Sequence, residues 1–199
     1  MDLIINKTLT PPIVSRETIE KFKAYFEILM MWNKTISLME ELSWDEFYKR
    51  HVLDAIQISP LIKSDFFDLG SGAGIPAIPL LIMGYNVTLI ESNMKKSKFL
   101  NFCLKKIELE NGSVMNQRIE SINFPSNSLF VARALSPLKN LLKYLFDVSR
   151  ETKGVFLKGR QIHQEIEEAR KEWLFDYELY RSISDETGII ICVFDIRKR

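Results

Sequence analysis

Apolar residues recur with two different periods along the chain, and the period changes near residue 62. From Ser15 onward they return every three or four positions, which is the period of a helix that packs on one face. A second stretch with this period runs roughly from Ser43 to Ile62. We therefore predict an N-terminal helical extension over residues 1–62 that packs on a core domain of residues 63–199.

After residue 65, short apolar runs alternate with helical patterns. The predicted strands cover residues 65–69, 86–91, 113–116, 128–133, 154–158, 175–182 and 188–196, and the predicted helices between them cover residues 75–83, 93–107, 137–146 and 161–173. This alternation is typical of a parallel sheet with helices on both faces. Because the last two strands follow each other through a polar turn, they predict an antiparallel hairpin at one edge. The pattern thus predicts an α/β fold with a mostly parallel, seven-stranded sheet.

The loop between the first predicted strand and its helix is rich in glycine. Gly70, Gly72 and Gly74 leave the backbone free of Cβ atoms at a crossover where ligands bind in open parallel sheets. Glu91 ends the next predicted strand about 20 residues later, where a carboxylate can accept two hydrogen bonds from a ribose. The loop and the spaced acid together predict a site for an adenosine-type ligand.

The spacing within this loop separates two classes of adenosine ligand. The dinucleotide fingerprint is G-x-G-x-x-G, and Ile75 stands where that fingerprint needs its third glycine. Asp68 places a negative charge before the loop, which would repel a pyrophosphate but suits a cationic amino-acid group. Both departures favour S-adenosyl-L-methionine over NAD as the cofactor.

Composition sets only broad limits. The 199 residues include 27 Lys and Arg against 26 Asp and Glu, and a neutral total neither supports nor excludes an RNA-binding face. Cys103 and Cys192 lie far apart in apolar settings, so we predict buried thiols, no disulfide and no metal site. There is no signal-peptide pattern and no apolar run of membrane-spanning length, so we expect a cytoplasmic protein. No large apolar stripe calls for a partner, and we predict a monomer.

Further segments accompany the glycine loop in a fixed order. They read FFDLGSGAGIPAIPL, LIESNMKKSKFL, NQRIESI, VARALSPL and FLKG, and HVLDAI at residues 51–56 precedes them. In this order and spacing the chain resembles the bacterial 16S ribosomal RNA guanine-N7 methyltransferases, also called the glucose-inhibited division protein B family, over about residues 25–158. The resemblance implies a Rossmann-like class I methyltransferase. It would transfer a methyl group from S-adenosyl-L-methionine to N7 of a guanine in 16S rRNA or the small ribosomal subunit.

The resemblance also implies site residues. Cofactor contacts fall on Gly70, Ile75, Ile119, Glu120 and Arg133, beside the loop glycines Gly72 and Gly74 and the predicted ribose acid Glu91. Many members of the family carry Asp at the position of Glu91, so the longer side chain is a small departure. After Gly159 the match is loose, and no role is carried over to the last forty residues.

The proposed chemistry needs few catalytic groups. Guanine N7 has a lone pair and no proton, so the enzyme needs no general base and can act by placing N7 in line with the methyl donor. We predict Arg133 and Lys158 as catalytic residues, both at the carboxyl ends of predicted parallel strands. A bare cation against N7 would oppose the charge that develops on the base. We therefore expect these side chains to hold phosphate, the guanine O6 or the methionine carboxylate.

Two alternative functions remain open from the sequence. One is a nicotinamide-dependent Rossmann oxidoreductase, which Ile75 opposes, and the other is a non-catalytic RNA-binding module on a methyltransferase fold, which the intact loop, Glu91 and Arg133 oppose. For His51 we favour a structural role over substrate contact. Asp54, three residues later on the same helix, is its expected local partner.

Overall fold

Strands form where an apolar run is short and bounded by polar residues or glycine. This computed structural model describes residues 7–199, and within them the strands are β1 (Lys7–Thr8), β2 (Phe66–Leu69), β3 (Val87–Ile90), β4 (Gly112–Met115), β5 (Leu129–Arg133), β6 (Lys153–Lys158), β7 (Trp173–Arg181) and β8 (Ile189–Lys198). They form one sheet in the order β1-β7-β8-β6-β5-β2-β3-β4. β8 runs antiparallel to β6 and β7, and the other neighbouring pairs are parallel. The seven predicted strands and the antiparallel hairpin are confirmed, and β1 adds a short strand beside β7.

The helices cover both faces of this sheet. They are α1 (Arg16–Asn33), α2 (Trp44–Phe47), α3 (Leu53–Ile56), α4 (Ala77–Ile82), α5 (Met94–Ile107), α6 (Leu138–Val148) and α7 (Ile162–Arg170). A turn of π-helix at Tyr48–Val52 joins α2 to α3, and 3-10 turns lie at Ser59–Leu61 and Ile119–Ser121. Ser15 caps α1, because its Oγ accepts a hydrogen bond from Thr18 N at 3.1 Å. Within residues 7–199, no helix combines the length and the apolar character that crossing a membrane requires.

The core is divided by the sheet into two apolar clusters. Alternate residues of β5 point to opposite faces, so Val131 belongs to one cluster and Phe130 to the other. The Val131 side holds α1, α4 and α5, and the Phe130 side holds α6 and α7. The buried stripe of α1, formed by Phe22, Tyr25 and Leu29, lies in the same cluster as α4 and α5. The division of the chain at residue 62 stays a prediction.

Two predicted helix boundaries are wrong, for different reasons. The helix predicted to reach Trp173 ends at Arg170, and Trp173 instead begins β7, paired with Lys198. Its ring packs on that of Phe146 with 5.1 Å between centroids, a tertiary contact that outweighs the local helical pattern. The helix predicted to begin at residue 75 begins at Ala77, because the turns of the glycine loop continue through Pro76.

The strand order brings the predicted site residues to one edge of the sheet. β5, β2 and β3 are parallel neighbours, so the loops that follow Leu69, Ile90 and Arg133 leave the sheet together. β6 lies on the other side of β5 and ends at Lys158, next to Arg133. Carboxyl ends of parallel strands are where open α/β sheets bind ligands.

Candidate active site

All three glycines of the loop have a positive φ, which is +53° at Gly72, and at two of them a Cβ would also lie too close to a side chain. Gly70 has a φ of +68°, and a Cβ there would lie 2.5 Å from Leu135 Cδ1. Gly74 has a φ of +86°, and its Cβ would lie 2.5 Å from Ile78 Cδ1. Gly72 is different, because a Cβ there would meet only Gly70 O, at 3.7 Å. The loop is thus packed on its inner side at Gly70 and Gly74 and open at Gly72, as a backbone that receives a ligand should be.

Glu91 is already oriented by the backbone around it. Its Oε2 accepts a hydrogen bond from Gly72 N at 2.9 Å, and its Oε1 accepts one from Asn93 N at 2.7 Å. The residue is only 8% exposed. Each carboxylate oxygen has two lone pairs, so both oxygens can still accept a bond from a ribose hydroxyl.

A cavity of about 320 Å³ opens beside this loop. Of the predicted cofactor residues, those that line it are Gly70, Gly72, Glu91, Ile119, Glu120 and Arg133. Gly74 and Ile75 do not line it; Ile75 packs against the core. The volume lies within the range of small-molecule sites. A glycine cradle, an oriented acid and a cavity of this size fit a nucleoside-type cofactor.

Arg133 is held from the N-terminal part of the chain. Its Nη1 lies 2.8 Å from His51 Nδ1, and its Nε lies 3.3 Å from Asp54 Oδ2. A guanidinium group can only donate, so His51 Nδ1 accepts and a neutral ring carries its proton on Nε2. Burial, with Arg133 and then Arg50 nearby, lowers the pKa of His51 to about 4. The expected His51–Asp54 pair does not form, because His51 accepts a hydrogen bond from Arg133 and Asp54 forms a salt bridge with it.

A larger cavity, of about 1100 Å³, lies on the other side of Arg133. Arg133, Ala134 and Leu135 line both this cavity and the smaller one. Ala134 has a φ of +51°, which turns the chain sharply after β5. A group in the smaller cavity and a group in the larger one would therefore meet at this three-residue segment.

Lys158 lines the larger cavity, and its ammonium group binds protein atoms. Nζ donates to Ser136 O at 2.7 Å and to Glu165 Oε2 at 2.7 Å. The same Glu165 oxygen accepts a bond from Leu138 N at 2.6 Å, at the start of α6. In this arrangement Lys158 supports the segment between β5 and α6. Its catalytic role stays a prediction.

Asp68 is buried just before the loop, and one oxygen of its carboxyl group has no hydrogen-bond partner among the described atoms. The residue is 1% exposed, and that oxygen is its Oδ2. Burial, and secondarily the charge of Glu91, raise the pKa of Asp68 to about 7. The loop is also held by α1, because the hydroxyl of Tyr25 donates a hydrogen bond to Ala73 O. In residues 7–199, no group of His, Cys, Asp and Glu is arranged to bind a metal ion.

Comparison with known proteins assigns the chain to a family. A sequence model of rRNA small subunit methyltransferase G (GidB) matches residues 18–187. The ribosomal RNA small subunit methyltransferase G of Rickettsia felis is 37% identical over 189 residues, which cover 93% of this chain and 97% of that protein. The corresponding protein of Rickettsia akari is also 37% identical, with coverage of 93% and 98%. The chain belongs to the rRNA small subunit methyltransferase G family.

Membership of the rRNA small subunit methyltransferase G family confirms the family that the sequence resembles. The predicted enzyme class, a methyltransferase, and the predicted cofactor, S-adenosyl-L-methionine, are confirmed with it. The oxidoreductase and non-catalytic alternatives are therefore set aside.

Solved structures of low identity confirm the fold. A glycopeptide N-methyltransferase, MtfA, solved with (S)-adenosyl-L-methionine, has a TM-score of 0.59 at 10% identity and covers 74% of this chain and 95% of its own. An S-adenosylmethionine-dependent methyltransferase from Aquifex aeolicus has a TM-score of 0.56 at 13% identity, with coverage of 74% and 92%. These likenesses show a Rossmann-like class I methyltransferase fold.

Within this member of the rRNA small subunit methyltransferase G family, the structure adds site residues that sequence reasoning missed. They are Ser92, Lys96, Gln117, Arg118, Leu135 and Tyr144, which also line the smaller cavity. Tyr144 on α6 donates its hydroxyl proton to Glu120 Oε1 at 3.0 Å. Tyr144 lies in an apolar helix beside buried leucines, and nothing in its local sequence pattern distinguishes it from a core residue.

Proposed function

We propose that this protein transfers the methyl group of S-adenosyl-L-methionine to N7 of a guanine in 16S rRNA. The single observation that carries this proposal is that the smaller and larger cavities share Arg133, Ala134 and Leu135. When bound, the cofactor supplies a methyl group on a positively charged sulfur. Family membership supports the cofactor and the ribosomal RNA substrate, and the choice of N7 is what the sequence resemblance implies.

The smaller cavity is the proposed cofactor site. We assign the ribose hydroxyls to Glu91, whose two oxygens are already fixed by backbone N–H groups. The open face at Gly72 would lie against the nucleoside, and Ile119 and Glu120 line the far side of the same cavity. The buried carboxyl of Asp68 provides an unused acceptor near the loop for a cationic amino group.

The larger cavity is the proposed site of the target nucleotide. The two cations predicted as catalytic already have partners there: Asp54 and His51 hold the guanidinium of Arg133, and Glu165 holds the ammonium of Lys158. These partners keep both groups from pressing on N7 as bare cations, where positive charge develops. It leaves the remaining N–H groups of Arg133 for a carboxylate, a phosphate or the guanine O6.

The site is consistent with a reaction that needs no general base. His51 has a lowered pKa, is buried, and already accepts a bond from Arg133, so it is poorly placed to remove a proton from a substrate. Guanine N7 has no proton to lose. Placing N7 in line with the methyl group is then the main contribution of the protein. We infer that the protein acts as a monomer on the small subunit or its RNA in the cytoplasm.

The test is to map the methyl group on the RNA. Purified protein is incubated with labelled cofactor and either naked 16S rRNA or small subunits from cells that lack the modification, and nuclease fragments are then analysed by mass. We expect one labelled guanine, whose N7-methyl form is also detected by strand cleavage after reduction and aniline treatment. Arg133→Ala is the matched variant and should lose transfer while keeping its fold by circular dichroism. Label on another atom or another base, or full activity of Arg133→Ala, would contradict the proposal.

A further inference from the structure

The turn between β7 and β8 forms a wall of the larger cavity. The residues that line it from this turn are Ser182, Ser184, Asp185, Glu186, Thr187 and Gly188. The family resemblance in the sequence assigns no role to this part of the chain. It nevertheless lines the same cavity as Arg133, where the target nucleotide is proposed to bind.

The turn has a defined shape of its own. Ser182 N donates to Gly188 O at 2.9 Å, and Gly188 N donates to Asp185 O at 3.0 Å. Asp185 Oδ1 accepts bonds from Thr187 N at 2.8 Å and from Thr187 Oγ1 at 3.0 Å. A segment closed by bonds of this kind can present a fixed surface to a ligand.

A single carboxylate anchors this turn to the helical segment before β2. Asp54 Oδ1 accepts bonds from Ser184 Oγ at 2.7 Å, Ser182 Oγ at 3.3 Å and Gln57 Nε2 at 2.8 Å. Gln57 is fully buried and accepts a bond from Ile183 N at 2.9 Å. These contacts join parts of the chain that are more than 120 residues apart in sequence.

The other oxygen of the same carboxylate faces the reacting centre. Asp54 Oδ2 lies 3.3 Å from Arg133 Nε, and the Asp54 side chain is 13% exposed. Asp54 therefore contacts two parts of the lining of the larger cavity at once: Arg133, which also lines the smaller cavity, and the β7–β8 turn, which does not. A shift of either part changes the shape of the larger cavity.

We propose that the β7–β8 turn binds the target base and that Asp54 is a positioning residue that fixes this turn relative to Arg133. The inference rests on the proposed function. The turn carries the carboxylates Asp185 and Glu186, which repel RNA phosphates. Carboxylates accept hydrogen bonds from donors, and guanine presents N1–H and its amino group on the edge away from N7. The base, rather than the RNA backbone, therefore lies against the turn while N7 faces the cofactor site.

The first test separates the turn from the cofactor site. Ser184→Ala removes the 2.7 Å bond to Asp54 and leaves the Asp54–Arg133 pair intact. We expect the KM for 16S rRNA or small subunits to rise about fivefold, which is the effect of losing one hydrogen bond of about 1 kcal/mol. The Kd for S-adenosylhomocysteine should stay within about twofold of the wild-type value, because the turn is proposed to contact the RNA and not the cofactor. Ser184→Thr keeps a hydroxyl and should restore the wild-type KM.

The matched control is Ser113→Ala. Ser113 Oγ lies 3.1 Å from Thr88 Oγ1, and both residues line a cavity at the other end of the strands. This variant also loses one side-chain hydroxyl contact, though an exposed one, and should leave both the KM and the Kd unchanged. Equal KM values for Ser184→Ala, Ser113→Ala and wild type would overturn the inference. An equal loss in Ser113→Ala would overturn it too.

Two further variants address Asp54 and the base contact. Asp54→Asn weakens both anchoring contacts, and we expect kcat to fall about tenfold or more in addition to a higher KM. Glu186→Gln changes only an exposed charge, so it remains informative even if a Ser184 or Asp54 variant does not fold, and it should raise the KM. A lower KM for Glu186→Gln would show phosphates against the turn and overturn the base contact. If wild type transfers no methyl group to RNA, the proposed function fails; if wild type is active and these variants match it, only this inference fails.

Discussion

Replacing Tyr25 by Phe tests whether the first helix supports cofactor binding. The Tyr25 hydroxyl on α1 donates a hydrogen bond to Ala73 O in the glycine loop, and the residue is fully buried. Tyr25→Phe removes one oxygen and keeps the ring, which packs on Phe47 with 5.7 Å between centroids. We expect weaker binding of S-adenosylhomocysteine, because Ala73 O loses its donor while the loop keeps only its bonds at Gly72 N to Glu91 and at Ser71 N to Ile90 O.

The size of this effect follows from the lost contact. A buried acceptor left without a donor costs about 1–3 kcal/mol. The loop of the variant can relax to relieve this cost, and cofactor binding must then restore the original loop. If about 1–2 kcal/mol of the cost is recovered in this way, the Kd for S-adenosylhomocysteine rises about 5- to 30-fold. The remaining cost should lower the melting temperature by about 2–4 °C per kcal/mol for a chain of this length.

Tyr85→Phe is the matched control for this experiment. Tyr85 also donates its hydroxyl proton to a backbone carbonyl, Ser59 O at 3.3 Å, but beyond the other end of α4 from the glycine loop. It should show a small change in melting temperature and a Kd within about twofold of wild type. Isothermal calorimetry and thermal unfolding measure the two quantities on the same samples. A wild-type Kd for Tyr25→Phe, or an equal loss of affinity in both variants, would refute the reasoning.

Three other predictions follow from the loop and the acids around it. Gly70→Ala should lower the free energy of unfolding by about 1–3 kcal/mol, since its Cβ would lie 2.5 Å from Leu135 Cδ1 at a positive φ; an unchanged urea midpoint contradicts this. Glu91→Gln should raise the Kd for S-adenosylhomocysteine about tenfold in calorimetry, because an amide cannot accept bonds at both ends from backbone N–H groups; equal affinity would remove Glu91 from the site. Burial raises the pKa of Asp68 to about 7, so the protonated carboxyl contributes stability below pH 4 that is lost as pH rises to 7. The free energy of unfolding of Asp68→Asn, measured in urea titrations relative to wild type, should therefore increase from pH 4 to pH 7 by at most about 4 kcal/mol. A difference between the two proteins that does not depend on pH would contradict this prediction.

The elements that the sequence predicted well are those whose local pattern and tertiary role agree. β2, β3 and β5 are short apolar runs that end at polar residues or glycine, and each forms where its pattern predicts. β1 was not predicted, because Lys7 and Thr8 form a strand only by pairing with Tyr180 and Arg181 at the edge of the sheet. Trp173 departed from its helical pattern because β8 and Phe146 provide a better environment in a strand.

The same distinction holds for the site. Gly70 and Glu91 could be found from the sequence because loop, strand and acid follow one another at a known spacing. The contacts of Tyr25 with Ala73 and of Asp54 with Ser184 could not be found, because each joins distant parts of the chain. Only the packing of helices on the completed sheet brings such pairs together.

The segment Arg133 to Leu135 has a thermodynamic consequence. One wall lines both the proposed cofactor site and the proposed RNA site, so we expect occupancy of one to change affinity at the other. By thermodynamic linkage, the cofactor then changes RNA affinity by the same factor as RNA changes cofactor affinity. A guanosine tethered to a cofactor analogue could span that wall, and joining the two halves would make the second binding event intramolecular. The length of the linker that crosses this wall would then determine the potency of such bisubstrate inhibitors.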